Sequence, residues 1–327
     1  MLQLPLVLFI VMVEVSVGAV SVLVFLDWRN EVKRGFLISY AFIYLVLAGL
    51  TYLFQQNFAT PALLNTYPQL AKAWTGQEAF PLLLFCLLLF PYSIFLLLDK
   101  HAGVSEKKDM MEQENQALEQ KRHASTLRIL RLISGGATTV AGLVALFVLA
   151  MIFHPLAASA FGGLFTVASF FAGAFALGGV MTAMWLGHWY LVTPALSERP
   201  LLFSTTVVLV AILAQVVFSL AVGPNMLFGS QTTPSSHSVI VAVPTSAPAH
   251  GSQIKPLDAP EIAPLSLDAI GWLHILVGFV MPLVLGGLAW KLIRDRSFQS
   301  ATGMLYLVVV CALAGEVIAR GLFLGHL

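Results

Sequence analysis

The chain has 327 residues, 58% of them hydrophobic and only 10% charged, with a formal net charge of +1. That composition excludes an ordinary water-soluble domain, in which about a quarter of the residues carry charge. The near-zero net charge says nothing about partners by itself, and no nucleic acid is expected.

The apolar residues fall into eight blocks of about 20, the length a helix needs to cross roughly 30 Å of hydrocarbon. The blocks are 4–27, 36–54, 79–99, 132–154, 163–192, 201–222, 269–293 and 300–323. The predicted fold class is all-α: a polytopic membrane bundle of about eight transmembrane helices forming one membrane domain over 1–327. Lys and Arg orient it, because short cytoplasmic loops retain them. The first connection holds Arg29, Lys33 and Arg34, and the third holds Lys100, Lys107, Lys108, Lys121, Arg122, Arg128 and Arg131. The fifth adds Arg199 and the seventh Lys291, Arg294 and Arg296, against only Lys72 and Lys255 in the even connections. The expectation is therefore odd loops in the cytoplasm, both termini outside, and multi-pass residence in the cell inner (cytoplasmic) membrane.

The first block opens "MLQLPLVLFIVMVEVSVGAV". It has no positive leader region and no convincing cleavage site, so it reads as a retained helix. Glu14 lies near its middle, on one face with Gly18 and Ser21. A charge in hydrocarbon costs at least about 2.5–3.5 kcal/mol, so this carboxyl needs a neighbouring helix as partner or a role in proton handling. Cys86 and Cys311, both inside apolar blocks, read as core residues. Two cysteines alone cannot hold an iron–sulfur cluster.

The third connection, 100–131, is charged and rich in helix formers, with Leu118, Leu127, Ile129 and Leu130 as a partly apolar face. It is predicted as a cytoplasmic helix leading into the fourth span, either a solvated connector or a docking site. His154 closes that span in "MIFHPL". The fifth block is overlong between Pro155 and Pro194, so it must tilt or begin with a surface segment. Its end, "TAMWLGHWYLVTPALSERP", places His188 among Trp185, Trp189 and Tyr190. The three aromatics read as a belt at the membrane boundary. His188 then has either no special part or a cytoplasmic-side one, such as proton uptake or contact with a subunit. The connection 223–268 is rich in Pro, Ser and Thr, too polar to build a domain; only Val239–Val243 has strand character.

In the seventh block His274, Gly278, Pro282 and Gly286 share a face at spacings of four, which allows close helix approach or room for a ligand. In the eighth, Glu316 and Arg320 are one turn apart and can pair. By depth, His154, His274, Glu316 and Arg320 are expected at one level near the outer face. Two histidines at one depth allow two readings: axial ligands of a b-type haem, with His154 and His274 binding its iron, or a quinone site in which one histidine exchanges a proton.

The ending "GEVIARGLF" (Gly315–Phe323), with "VEVSVGAV" (Val13–Val20) in the first helix, resembles the eight-helix anchor subunits of the polysulfide reductase and dimethyl sulfoxide reductase membrane family. Arg320 carries the last-helix pattern over. The charged third loop and the long Pro/Ser/Thr loop depart from that family's compact layout. The resemblance implies a quinol site near the outer face, electron transfer with an iron–sulfur partner, and no haem in this subunit.

Three readings follow. The first is a quinone- or quinol-binding subunit of a respiratory electron-transfer complex, itself non-catalytic or contributing the quinol site. It would bind quinone through His274, Arg320, Glu316, Glu14 and His154, beside iron–sulfur or cytochrome subunits in the lipid bilayer. The second is an ion-coupled transporter or channel. The third is a haem-b-carrying or structural subunit.

Overall fold

The computed structural model describes residues 3–99, 117–157, 160–192, 197–222, 266–325 and 327. Among these the chain is helical throughout, without a strand. The Pro/Ser/Thr-rich loop with Val239–Val243, and the charged stretch before Ala117, lie outside the described residues.

Eight helical stretches are long and apolar enough to cross a membrane: Leu4–Arg29, Arg34–Phe58, Lys72–Leu98, Thr126–Leu156, Phe161–Val192, Arg199–Ala221, Asp268–Arg294 and Phe298–Leu324. The end of the bundle that holds the start of α1 and the end of the last of these helices is called here the terminal side. The helices are α1 (Gln3–Arg29), α2 (Arg34–Phe58), short α3 (Pro61–Leu64) and α4 (Lys72–Thr75), and α5 (Ala79–Leu98). They continue as α6 (Ala117–Phe153), α7 (Ala160–Val192), α8 (Arg199–Val222), α9 (Leu267–His274), α10 (Met281–Arg294) and α11 (Phe298–Leu324). A 3₁₀ turn, His154–Leu156, follows α6, and a π-helical segment, Ile275–Val280, joins α9 to α10.

α1 is apolar on every side, and such a helix belongs in the middle of a bundle. It packs against α2, α6, α7 and α11, and 89% of its most apolar stretch is buried. Its closest neighbour is α7. A Cβ on Gly18 would lie 1.8 Å from the carbonyl oxygen of Ala174, and one on Gly178 would lie 2.0 Å from the carbonyl carbon of Gly18. Without a hydrophobic drive between helices in lipid, backbone approach of this kind is what binds them.

The overlong fifth block is one continuous helix of 33 residues, about 50 Å at 1.5 Å per residue, rather than a span preceded by a separate surface segment. The third connection does lead into the fourth span without a break, since α6 begins at Ala117.

Away from the terminal side, a buried ion cluster ties three helices. Arg131 of α6 donates from Nη1 to Asp99 Oδ2 at 2.6 Å and holds Nε 3.1 Å from Asp27 Oδ2 on α1. The Tyr92 hydroxyl of α5 donates to the same Asp27 oxygen at 3.2 Å. Arg131 and Asp27 are each 1% exposed. Arg131 had counted only as one basic loop residue, because nothing local marks it as buried.

The aromatic cluster near the end of α7 packs against neighbouring helices. Trp185 packs on Tyr40 with centroids 5.3 Å apart, and Trp189 on Phe36 at 5.9 Å. Tyr190 packs on Phe298, and its hydroxyl donates to the carbonyl of Ser197. These rings face α2 and α11, because α2 presents an aromatic stripe at Phe36, Tyr40 and Tyr44. His188 points away from them and is exposed. Both cysteines are free, and both are half-buried rather than in the core.

Candidate functional site in the terminal half of the bundle

Arg320, on α11, is the centre of a buried polar cluster. One guanidinium nitrogen, Nη2, donates both to Glu14 Oε1 on α1 and to Glu316 Oε1 one turn back on its own helix, the latter at 2.8 Å. Nη1 reaches Ser169 Oγ of α7 at 3.5 Å. The guanidinium lies 4.0 Å over the ring of Phe170, a stacking that a planar, weakly hydrated cation favours. The other carboxylate oxygen of Glu316 accepts from Gln215 Nε2 of α8 at 2.7 Å. Glu14 is fully buried; Arg320 is 4% and Glu316 6% exposed. Two carboxylates thus share one guanidinium, leaving one negative charge to be met by the Gln215 amide or by a proton.

Gly173 explains how three charged side chains fit between packed helices. A Cβ there would come within 2.9 Å of Glu316 Oε1 and 3.1 Å of both Arg320 Nη2 and Glu14 Oε1. The backbone of α7 therefore forms one wall of the cluster, and only glycine permits it.

His274 closes α9 beside this cluster. Its Nδ1 is 3.1 Å from the carbonyl oxygen of Gly315. A carbonyl only accepts, so Nδ1 carries the hydrogen and a neutral ring keeps its lone pair on Nε2. The π-helical turn Ile275–Val280 follows directly, with Phe279 edge-on to the imidazole at 4.6 Å. Pro282 lacks the amide hydrogen that would continue the α-helical ladder back through this turn, and π-turns recur at functional sites. Gly278 does not leave room for a ligand, contrary to one expectation. It is packed on α11, where a Cβ at Gly315 would meet its Cα at 2.3 Å.

A cavity of about 50 Å³ opens beside the cluster, lined by Ser169, Gln215, Ser219, His274, Glu316, Arg320 and the rings of Phe165, Phe218, Phe279 and Phe323. Its polar end is the ion cluster and its sides are aromatic. Phe165 and Phe218, each half-buried and 5.9 Å apart, stand at its side.

Of the residues expected at one depth, His274, Glu316 and Arg320 do meet, and Glu14 joins them directly rather than from a deeper position. His154 does not. It sits in the turn after α6 against Gly163, where a Cβ would come 2.3 Å from its Nε2, and it is not among the residues lining the cavity beside His274. A helix-end histidine at matching depth faces its own corner of the bundle unless packing turns it inward. Among the described residues no group of three or more His, Cys, Asp or Glu side chains is placed to hold a metal ion. Ser169, Phe170, Gly173 and Gln215 were not read from sequence. Gln215 carried a signal, as the lone amide in "VVLVAILAQVVFSL".

No protein-family model matches the chain, and no curated protein matches it.

Proposed function

We propose that the chain is an integral membrane subunit that binds quinone or quinol for a respiratory electron-transfer complex, in the inner membrane, with the ring seated at the His274 pocket. The observation that carries this reading is the imidazole itself. Its Nδ1 is committed to Gly315, so Nε2 is the proton acceptor, beside a carboxylate pair that holds one cation too few. A quinol giving two electrons must also give two protons. Electrons pass to a partner subunit carrying iron–sulfur or cytochrome centres. One proton goes to His274 Nε2 and one to the Glu316–Glu14 pair, and both then leave to water on the terminal side. Gln215 and Ser169 supply hydrogen bonds to the ring oxygens, and the phenylalanines supply apolar walls, as small-molecule sites require. The resemblance of the last helix to polysulfide and dimethyl sulfoxide reductase anchors agrees with this, as does an orientation that puts the terminal side outside by its scarcity of Lys and Arg.

The cavity's size favours a second reading. About 50 Å³ is far below the roughly 300 Å³ at which ligand pockets begin, so a ring is admitted only when Phe165 and Phe218 turn. Water or a proton needs no such change, which suits an ion-coupled transporter or channel using Glu14, Glu316 and Arg320.

The purified protein should be stabilised thermally by a short-tailed quinone, and His274→Leu should abolish that stabilisation without altering the ligand-free melting temperature. Equal stabilisation of both proteins would overturn the quinone reading. Proton flux into liposomes without any quinone response would establish the second.

A further inference from the structure

Beyond the polar pocket, the seam between α7 and α8 continues as an apolar groove toward the other side of the membrane. On α8, Phe203, Val207, Ala211, Ala214 and Phe218 recur at intervals of three and four, so they form one stripe, with Gln215 beside Ala214 at its edge. Opposite them, in antiparallel order, α7 offers Phe175, Ala172, Ser169 and Phe165. The aromatic residues stand at the two ends and the alanines in the middle. Where the alanines leave space, a cavity of about 330 Å³ lies against Ala172, Ala211 and Ala214. It shares Phe175, Phe203 and Val207 with a second cavity of about 460 Å³ that extends to Phe25 and Trp28 of α1. At its other end the groove stops short of the polar pocket by about one helical turn: the two share no lining residue, but Gln215 follows Ala214 and Ser169 lies one turn from Ala172.

We propose that this groove holds the isoprenoid tail of the quinone whose ring occupies the His274 pocket; the inference rests on that reading of the pocket. The chemistry of the walls selects the occupant. No charged side chain lines either cavity, and the hydroxyls present are largely committed: Thr206 donates to Leu202 and accepts from Trp290, and Ser21 donates to Val17. Only the Thr139 hydroxyl, in the larger cavity, is buried without a hydrogen-bond partner, and an apolar chain needs no polar partner from these walls. The twelve steps from Gln215 back to Phe203 span about 18 Å along the helix, so several isoprene units fit between ring and slot. Val210 on the rim is 60% exposed, which leaves the groove open sideways to lipid, and a tail enters laterally without being threaded. Only a ligand with its polar head at Gln215 and a long apolar chain uses both parts of the seam at once.

The test uses the full chain in nanodiscs, with tailless and long-tailed forms of one quinone as probes. Val210→Trp narrows the groove at an exposed rim position, and Ala211→Leu narrows it from within; neither touches the polar pocket. In the unaltered protein the long-tailed form should bind more tightly. Each variant should weaken it by about tenfold or more, the loss of a few buried methylene contacts, while tailless binding stays unchanged. Equal affinity for both forms in the unaltered protein, or variants that leave long-tail binding intact, would overturn the tail assignment and leave the ring site standing. Loss of a tightly held phospholipid in the variants, with quinone binding unchanged, would assign the groove to an acyl chain and overturn the proposal. Absence of binding by either probe would remove the ring site and the tail groove together.

Discussion

Arg320 on the last helix donates a hydrogen bond to Glu14 on the first, 306 positions earlier in the chain. The same guanidinium nitrogen is 2.8 Å from Glu316. The first and last spans are thereby joined by a buried charge that belongs to neither alone.

Removing Arg320 leaves two buried carboxylates without their cation. Arg320→Met is expected to destabilise the protein by about 3–5 kcal/mol, as breaking a buried pair does. Adding Glu316→Gln should restore only part of that loss, because Glu14 remains unpaired. Neutralising Glu14 as well should restore most of it. Melting temperatures in detergent across the three variants decide this; identical values for the single and triple changes would mean the cluster is hydrated.

The opposite ion cluster has the same logic. Asp27 and Asp99 both depend on Arg131, which is 1% exposed. Arg131→Met should also cost about 3–5 kcal/mol. Glu14 and Asp27 are thirteen residues apart on α1, about 20 Å, and the tight Gly18–Ala174 contact lies between them. Ligand affinity per folded molecule should therefore be unaltered in this variant. A changed quinone affinity at full folding would show that the clusters communicate.

Glycine positions in similar sequence contexts should respond oppositely. Gly18→Ala drives a methyl into the Ala174 carbonyl at 1.8 Å, whereas a Cβ on Gly49 of α2 meets nothing within 4 Å. Gly18→Ala should lose at least the roughly 1–3 kcal/mol typical of overpacking. Gly49→Ala should be neutral or stabilising by up to about 1 kcal/mol, from helix propensity. Comparable yields and melting temperatures for the two would contradict the α1–α7 packing.

Orientation is tested by labelling. In a protein with Cys86 and Cys311 replaced by alanine, a single cysteine is placed at Gln69 or at Asp295, both exposed and on opposite sides of the bundle. A membrane-impermeant thiol reagent applied to intact cells should modify Gln69→Cys and spare Asp295→Cys. The reverse pattern would invert the topology and place the His274 pocket on the cytoplasmic side.

Sequence alone determined what depends on one helix at a time. Length and apolarity marked the eight spans, because an isolated stretch of about 20 apolar residues already specifies a helix in lipid. Helical spacing placed Glu316 beside Arg320, and the same spacing put His274, Gly278 and Pro282 on one face, where a π-turn follows the histidine. Tertiary structure decided which faces meet. Depth along a helix can be counted, but the rotation of one helix against another is set by packing, and here glycines at 18, 178, 278 and 315 set it by backbone contact, while Gly173 makes room for the charged side chains. That rotation brought Glu14 onto Arg320 and Gln215 onto Glu316, and left His154 at its own corner. It turned Trp185 and Trp189 inward to Tyr40 and Phe36, and buried Arg131 among residues from two other helices. Such contacts join positions tens to hundreds of residues apart, and no local pattern encodes them.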